Sequence, residues 1–90
     1  MMKKVEINIE EIAELNPNAL LADGFEDAYL GIVTRAGSDP IALYSIKQCV
    51  EILMERDEMT DEEAIEFMDY NVLGGYLGEG TPMFLMDLDI

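Results

Sequence analysis

The chain is 90 residues long, with twenty Asp or Glu against five Lys or Arg, no His, and a formal net charge of -15. That length holds one domain rather than two, and that charge argues against direct contact with a nucleic-acid backbone. Half the residues are apolar, so the chain can bury a core in spite of its self-repulsion.

In chain order, residues 2–9 alternate, with Val5, Ile7 and Ile9 on one side, which predicts a short strand. Glu10 to Leu15 reads as a helical turn or two. Asn16-Pro17-Asn18 ends it, because the residue before a proline is pushed out of the α region. Ala19 to Ala22 is a short apolar segment, and Asp23-Gly24 is a turn signal. Ala28 to Thr34 reads as a strand in which Gly31 marks a bulge or a close backbone approach. After turn chemistry at Ala36 to Pro40, Ile41 to Tyr44 returns as the second strand of a hairpin.

Ser45-Ile46-Lys47-Gln48 fits a capping box, with Ser45 as N-cap and Gln48 as its partner. Ile46, Cys49, Val50, Leu53 and Met54 then form one helical stripe, and Arg56 suits the negative end of the helix. Thr60 to Glu63 is a second box. Ala64, Ile65, Met68 and Val72 make the next stripe, and Gly74-Gly75 ends that helix. Gly78 to Pro82 is a loop, Met83 to Met86 a last strand, and Asp87 onward a tail. The pattern predicts an α+β fold. A hairpin plus N- and C-terminal strands would make a small, mostly antiparallel sheet, covered on one face by two amphipathic helices. Residues 1–15 would be an N-terminal strand or arm, and residues 16–90 the domain.

Chemistry is constrained by what is missing. Without His and with one Cys, the usual zinc ligands are absent. A calcium loop started at Asp57 places Glu62 where the central glycine belongs. Asp23, Glu26 and Asp27 form a loose acidic group that reads as a solvated turn. Ser38, Ser45 and Cys49 lack the usual base, and Cys49 falls on a core stripe where thiols are inert packing groups. Gly74, Gly75, Gly78 and Gly80 lack the Lys-Ser/Thr and following helix of a phosphate loop. The expectation is a non-enzyme with no metal and no cofactor. A single cysteine fits a reducing compartment. Glu6, Glu10 and Glu11 interrupt any signal-like apolar stretch, and no apolar run is long enough to span a bilayer. A cytoplasmic setting is expected.

The strongest pattern is acidic. From Glu51 to Asp69 there are nine carboxylates against one base, Arg56, a net of eight negative charges. Glu51, Glu55 and Glu58 are spaced to share one helical face, and Glu62, Glu66 and Asp69 another. Over a hairpin about 20 Å long this is roughly one charge per 2.5 Å, against about one per 1.7 Å in duplex DNA. These six residues are the expected partner-binding set, on a surface that would fit a basic groove. The competing reading is the ordinary solvated face of two amphipathic helices. Asp23, Phe25, Tyr70, Tyr76 and Met83 are candidate ligand or oligomer contacts. The glycines of Gly74 to Pro82 would let backbone approach a ligand near Asp23-Gly24-Phe25.

Two stretches carry a family resemblance: Asn16 to Gly31 (NPNALLADGFEDAYLG), and the run after Tyr44 ending in CVEILMERDEMTDEEAIEFMDYNVLGGYLGEGTPMF. Together they resemble a family of small acidic proteins, largely uncharacterised, encoded by tailed phages, prophages and plasmids. The resemblance covers most of residues 16–85, apart from the loop at 35–40. It implies a mobile-element origin and a cytoplasmic, host-cell setting, and it carries over no catalytic residue. By analogy with small acidic phage proteins that inhibit host enzymes, the expected function is an accessory protein. It would inhibit a host defence-type nucleic-acid-binding protein by acting as a DNA mimic. The alternatives are a homo-oligomer that sequesters a small ligand, and a virion or assembly accessory protein.

Overall fold

The computed structural model describes residues 9–34, 36–75 and 78–87. It is a small α+β fold: helix α1 (Ile9–Leu15), strand β1 (Tyr29–Val33), strand β2 (Ile41–Ser45), helices α2 (Ile46–Arg56) and α3 (Asp61–Phe67), and strand β3 (Met83–Leu85). A 3-10 turn at Glu26–Ala28 precedes β1, and a π-helical turn at Met68–Leu73 extends α3. The strand expected over residues 2–9 falls outside the described residues, except that Ile9 opens α1 instead.

The sheet has the order β1-β2-β3. β1 and β2 pair antiparallel as a hairpin, and the register slips between Tyr29 and Gly31. Gly31 sits there at φ 153°, where a side chain is disfavoured, so the glycine in the strand does mark a bulge. β3 pairs with β2 in parallel, which makes the sheet mixed. A parallel pairing needs a long crossover, and here α2 and α3 supply it.

One face of the sheet holds the core. Ala42 and Tyr44 alternate along β2 into it, joined by Cys49 and Leu53 of α2, Ala64 of α3, Met68 and Ile12 of α1. Tyr44 is the hub. Its ring stacks on Phe84 and meets Tyr29 edge-on, both at 5.6 Å between centroids. Its hydroxyl accepts the Ala22 amide at 2.9 Å, which anchors the apolar segment after α1. Asn16 ties down the end of α1. Its Oδ1 accepts the Asn18 amide at 3.1 Å, and its Nδ2 donates to the Pro40 carbonyl at 2.8 Å. Leaving such a buried amide unpartnered would cost about 1–3 kcal/mol, so these two bonds fix the turn over the hairpin.

The helical stripes are narrower than the sequence pattern suggests. Cys49 and Leu53 are buried, while Met54, expected on the stripe, is exposed. In the next helix Ala64 and Met68 are buried and Ile65 is 50% exposed. Each short helix meets the core along one i, i+4 line, and a residue one step off that line is turned about 100° away. The widening of the helix at Met68–Leu73 into π geometry then shifts the phase of the last turn.

Candidate functional site

The acidic hairpin is built by its caps. Ser45 Oγ accepts the Gln48 amide at 3.1 Å and starts α2 directly from the end of β2. The Gln48 side chain makes no reciprocal bond among the described residues, so the expected box is only half formed, and Asp87 adds different contacts to this turn. Asp87 Oδ1 accepts the Lys47 amide at 3.1 Å, and Asp87 Oδ2 accepts from the Ser45 hydroxyl at 2.8 Å. Partial burial works against the Asp87 anion, but the bonds from Ser45 and Lys47 outweigh it and hold its carboxyl below the usual range. At α3 the expected box is complete. Thr60 Oγ1 accepts the Glu63 amide at 3.1 Å, and Glu63 Oε1 accepts the Thr60 amide at 2.9 Å.

Between the caps, α2 ends at Arg56 and Glu58 takes a left-handed backbone, φ 56°. The Met59 amide then reaches back to the Leu53 carbonyl at 3.5 Å. The expected third rung of the first ladder is therefore corrected. Glu51 and Glu55 lie on α2, opposite Cys49 and Leu53, but Glu58 lies in the link and off the helical repeat. Glu62 and Glu66 lie on α3, opposite Ala64, and Asp69 opens the π-helical turn.

All six carboxylates are exposed, and among the described residues none of their side chains takes part in a hydrogen bond or ion pair. Arg56, the one base between Glu51 and Asp69, engages none of these six. Arg56 Nη1 donates to the Gly24 carbonyl at 2.8 Å, Nη2 pairs with Asp57 at 3.2 Å, and the guanidinium lies 5.6 Å above the Phe25 ring. Met54 and Ile65 stand exposed beside the acidic rungs, and Tyr70 is 85% exposed. Sequence reasoning assigned Met54 and Ile65 to the core, since an apolar residue beside a stripe has the same pattern on either side of its edge.

Two candidate contacts separate from the rest. Phe25 is 6% exposed and belongs to the core beneath Arg56, so it is not a surface contact. A large aromatic next to a turn is worth more buried than exposed. Asp23 is exposed on the neighbouring turn, where Glu26 Oε2 accepts the Gly24 amide at 3.1 Å. Among the described residues no three His, Cys, Asp or Glu are grouped to hold a metal ion. Tyr76 lies outside the described residues.

A cleft of about 750 Å³ opens on the other side of the sheet. Val33, Ile41 and Met83 line it. By strand alternation and register these three belong to the face opposite Ala42 and Tyr44. Its walls are the Asn16–Asn18 turn, the Ser38–Asp39 loop and residues 78–81. Of the two segments expected to frame a pocket, Asp23-Gly24-Phe25 and Gly74 to Pro82, this cleft uses part of the second. Gly78–Thr81 line this cleft, whereas the Asp23–Gly24 turn does not and is closed by Glu26 and Arg56. Met83, 51% exposed, is the one candidate contact residue that lines it. At Gly80 the close approach is between two backbone segments of the chain itself. The Gly80 carbonyl accepts the Leu20 amide at 2.9 Å, and a Cβ there would collide with the Asn18 carbonyl.

Cys49 is fully buried, and burial, with a smaller contribution from the Asp87 charge, pushes its thiol up to about 11. A thiol so raised holds almost no thiolate at neutral pH and serves as a packing group. Among the described residues no helix is long and apolar enough to cross a membrane. No protein-family model, no curated protein and no solved structure matches the chain.

Proposed function

We propose that the protein is a non-enzymatic binding protein of mobile-element type, whose acidic hairpin occupies a basic, nucleic-acid-binding surface on a host protein. The observation that carries this reading is the state of the nine carboxylates between Glu51 and Asp69. All are exposed, and the one base within that span, Arg56, is drawn onto Asp57 and the Gly24 carbonyl. Field lines from such a surface attract a basic partner and speed its encounter.

Carboxylates alone give steering rather than tight binding, because exposed ion pairs contribute about 0–1 kcal/mol each. Met54, Ile65 and Tyr70 support the same reading from the apolar side, since desolvated aromatic and aliphatic anchors dominate interface energy. The partner-binding set is therefore Glu51, Glu55, Glu62, Glu66 and Asp69, with Glu58 in the link between the helices. A cytoplasmic host-cell setting is part of this proposal.

Affinity capture from bacterial lysate at about 0.1 M and 0.5 M salt tests it, because the Debye length falls from about 10 Å toward 3–5 Å over that range. The expected capture is a protein that binds duplex DNA on its own, is held at low salt, is released at high salt, and loses its DNA when this chain is added. Capture of no nucleic-acid-binding protein at either salt contradicts the proposal.

A further inference from the structure

The acidic hairpin leaves the cleft across the sheet unexplained. Its floor is the outer sheet face at Val33, Ile41 and Met83, none of which belongs to the buried core cluster. Its volume of about 750 Å³ falls within the roughly 300–1,000 Å³ of small-molecule sites. Such sites combine an apolar floor with a few polar groups at the edge, and this one does so. Asn18, Ser38, Asp39 and Glu79 stand around it, and among the described residues their side chains make no hydrogen bond or ion pair. Thr34 adds a further hydroxyl without such a bond, whereas Asn16 holds Asn18 and Pro40, and Thr81 Oγ1 donates to the Gly78 carbonyl at 2.7 Å.

Two features make the cleft a formed site rather than a gap between loops. Asn16 is buried and fixes one wall through both ends of its amide. The Leu20 amide donates to the Gly80 carbonyl at 2.9 Å, which locks the opposite wall to the segment that follows that turn. The free groups at the edge are two carboxylates, an amide and the hydroxyls of Thr34 and Ser38. Such a set accepts hydrogen bonds and favours positive charge, and an apolar body would cover the floor.

We infer that this cleft binds a small organic cation, an amine carrying a short hydrocarbon or aromatic body. The apolar part lies over Val33, Ile41 and Met83, and the ammonium group faces Asp39 and Glu79. The inference is independent of the acidic hairpin, which lies on other elements.

The test uses the full chain labelled for two-dimensional NMR and three probes of similar size: 2-phenylethylamine, 2-phenylethanol and 3-phenylpropanoate. The amine should shift the amides of residues 33–34, 38–41 and 78–83 saturably, the alcohol should do so at least threefold more weakly, and the anion should leave them unmoved. Asp39→Asn and Glu79→Gln should each weaken the amine by about three- to tenfold, equivalent to roughly 0.7–1.4 kcal/mol. Ile41→Trp should block all three probes while the rest of the spectrum stays in place. Met83→Trp is the second blocking variant if Ile41→Trp fails to fold. Equal affinity for amine and alcohol, or stronger binding of the anion, overturns the ligand class. Absence of a saturable shift at these residues, or shifts spread equally over residues 51–69, overturns the site.

Discussion

The Asp87 carboxylate accepts a hydrogen bond from the Ser45 hydroxyl at 2.8 Å, across forty-two residues of sequence. The same carboxylate takes the Lys47 amide, so a residue two positions beyond β3 caps the first turn of α2. This bond couples the end of the parallel strand to the start of the acidic hairpin. Replacing Asp87 by Ala should cost about 1–2 kcal/mol, the range for a lost N-cap with a charged acceptor. Chemical denaturation read by circular dichroism measures it.

The Asp87 carboxyl is held below the ordinary carboxylate range in the folded protein. A group depressed on folding contributes stability above its unfolded pKa and loses it as pH falls through the folded value. The stability gap between the wild type and Asp87→Asn should therefore be constant near neutrality and close as pH drops below about 4. Protonation of the other carboxylates relieves self-repulsion in both proteins alike, so the gap isolates Asp87. A gap that does not change with pH contradicts the assigned cap.

Glu58 occupies the left-handed region at φ 56°. A side chain there costs about 1–2 kcal/mol, whereas glycine adopts that backbone freely. Glu58→Gly should raise stability by about 0.5–1 kcal/mol after glycine's greater chain entropy is subtracted. It also removes one negative charge from an acidic link. A fall in the thermal midpoint is the contrary result.

Gly80 faces the Asn18 carbonyl with no room for a methyl group. Because the obstacle is backbone, Gly80→Ala should push the two segments apart and weaken the Leu20–Gly80 bond. The expected loss is about 1–3 kcal/mol, the range for overpacking. Hydrogen exchange at the Leu20 amide should quicken in parallel.

Much of this fold is legible in the sequence where the governing interactions are local. The Ser45 and Thr60 caps reach three residues ahead, and Gly31 sits at its own bulge. The hairpin follows from two β-rich runs and a turn. The missing parts depend on distant residues. Nothing near Asp87 marks it as the cap of a helix forty-two residues earlier, and the tail reads as solvent-exposed. The parallel direction of β3 follows from the path of α2 and α3 rather than from its own three residues. Phe25 looks like a turn aromatic because its partner, Arg56, comes from the far end of α2.

The site shows the same division. Spacing placed Glu51 and Glu55, and Glu62 and Glu66, on outward faces, since i, i+4 pairs on short helices leave little freedom. It failed at Glu58, where the helix had already ended. It failed again at Met54 and Ile65, whose burial depends on how far neighbouring elements wrap around each helix.

The most direct measurement is capture of the same partner by wild type and by a triple charge reversal, Glu51→Lys, Glu55→Lys and Glu66→Lys. These positions carry no cap and lie opposite the buried sides of α2 and α3. The triple variant should lose the partner at about 0.1 M salt, with a thermal midpoint unchanged or raised because repulsion is relieved. A folded triple variant that still holds the partner and still displaces its DNA would contradict it.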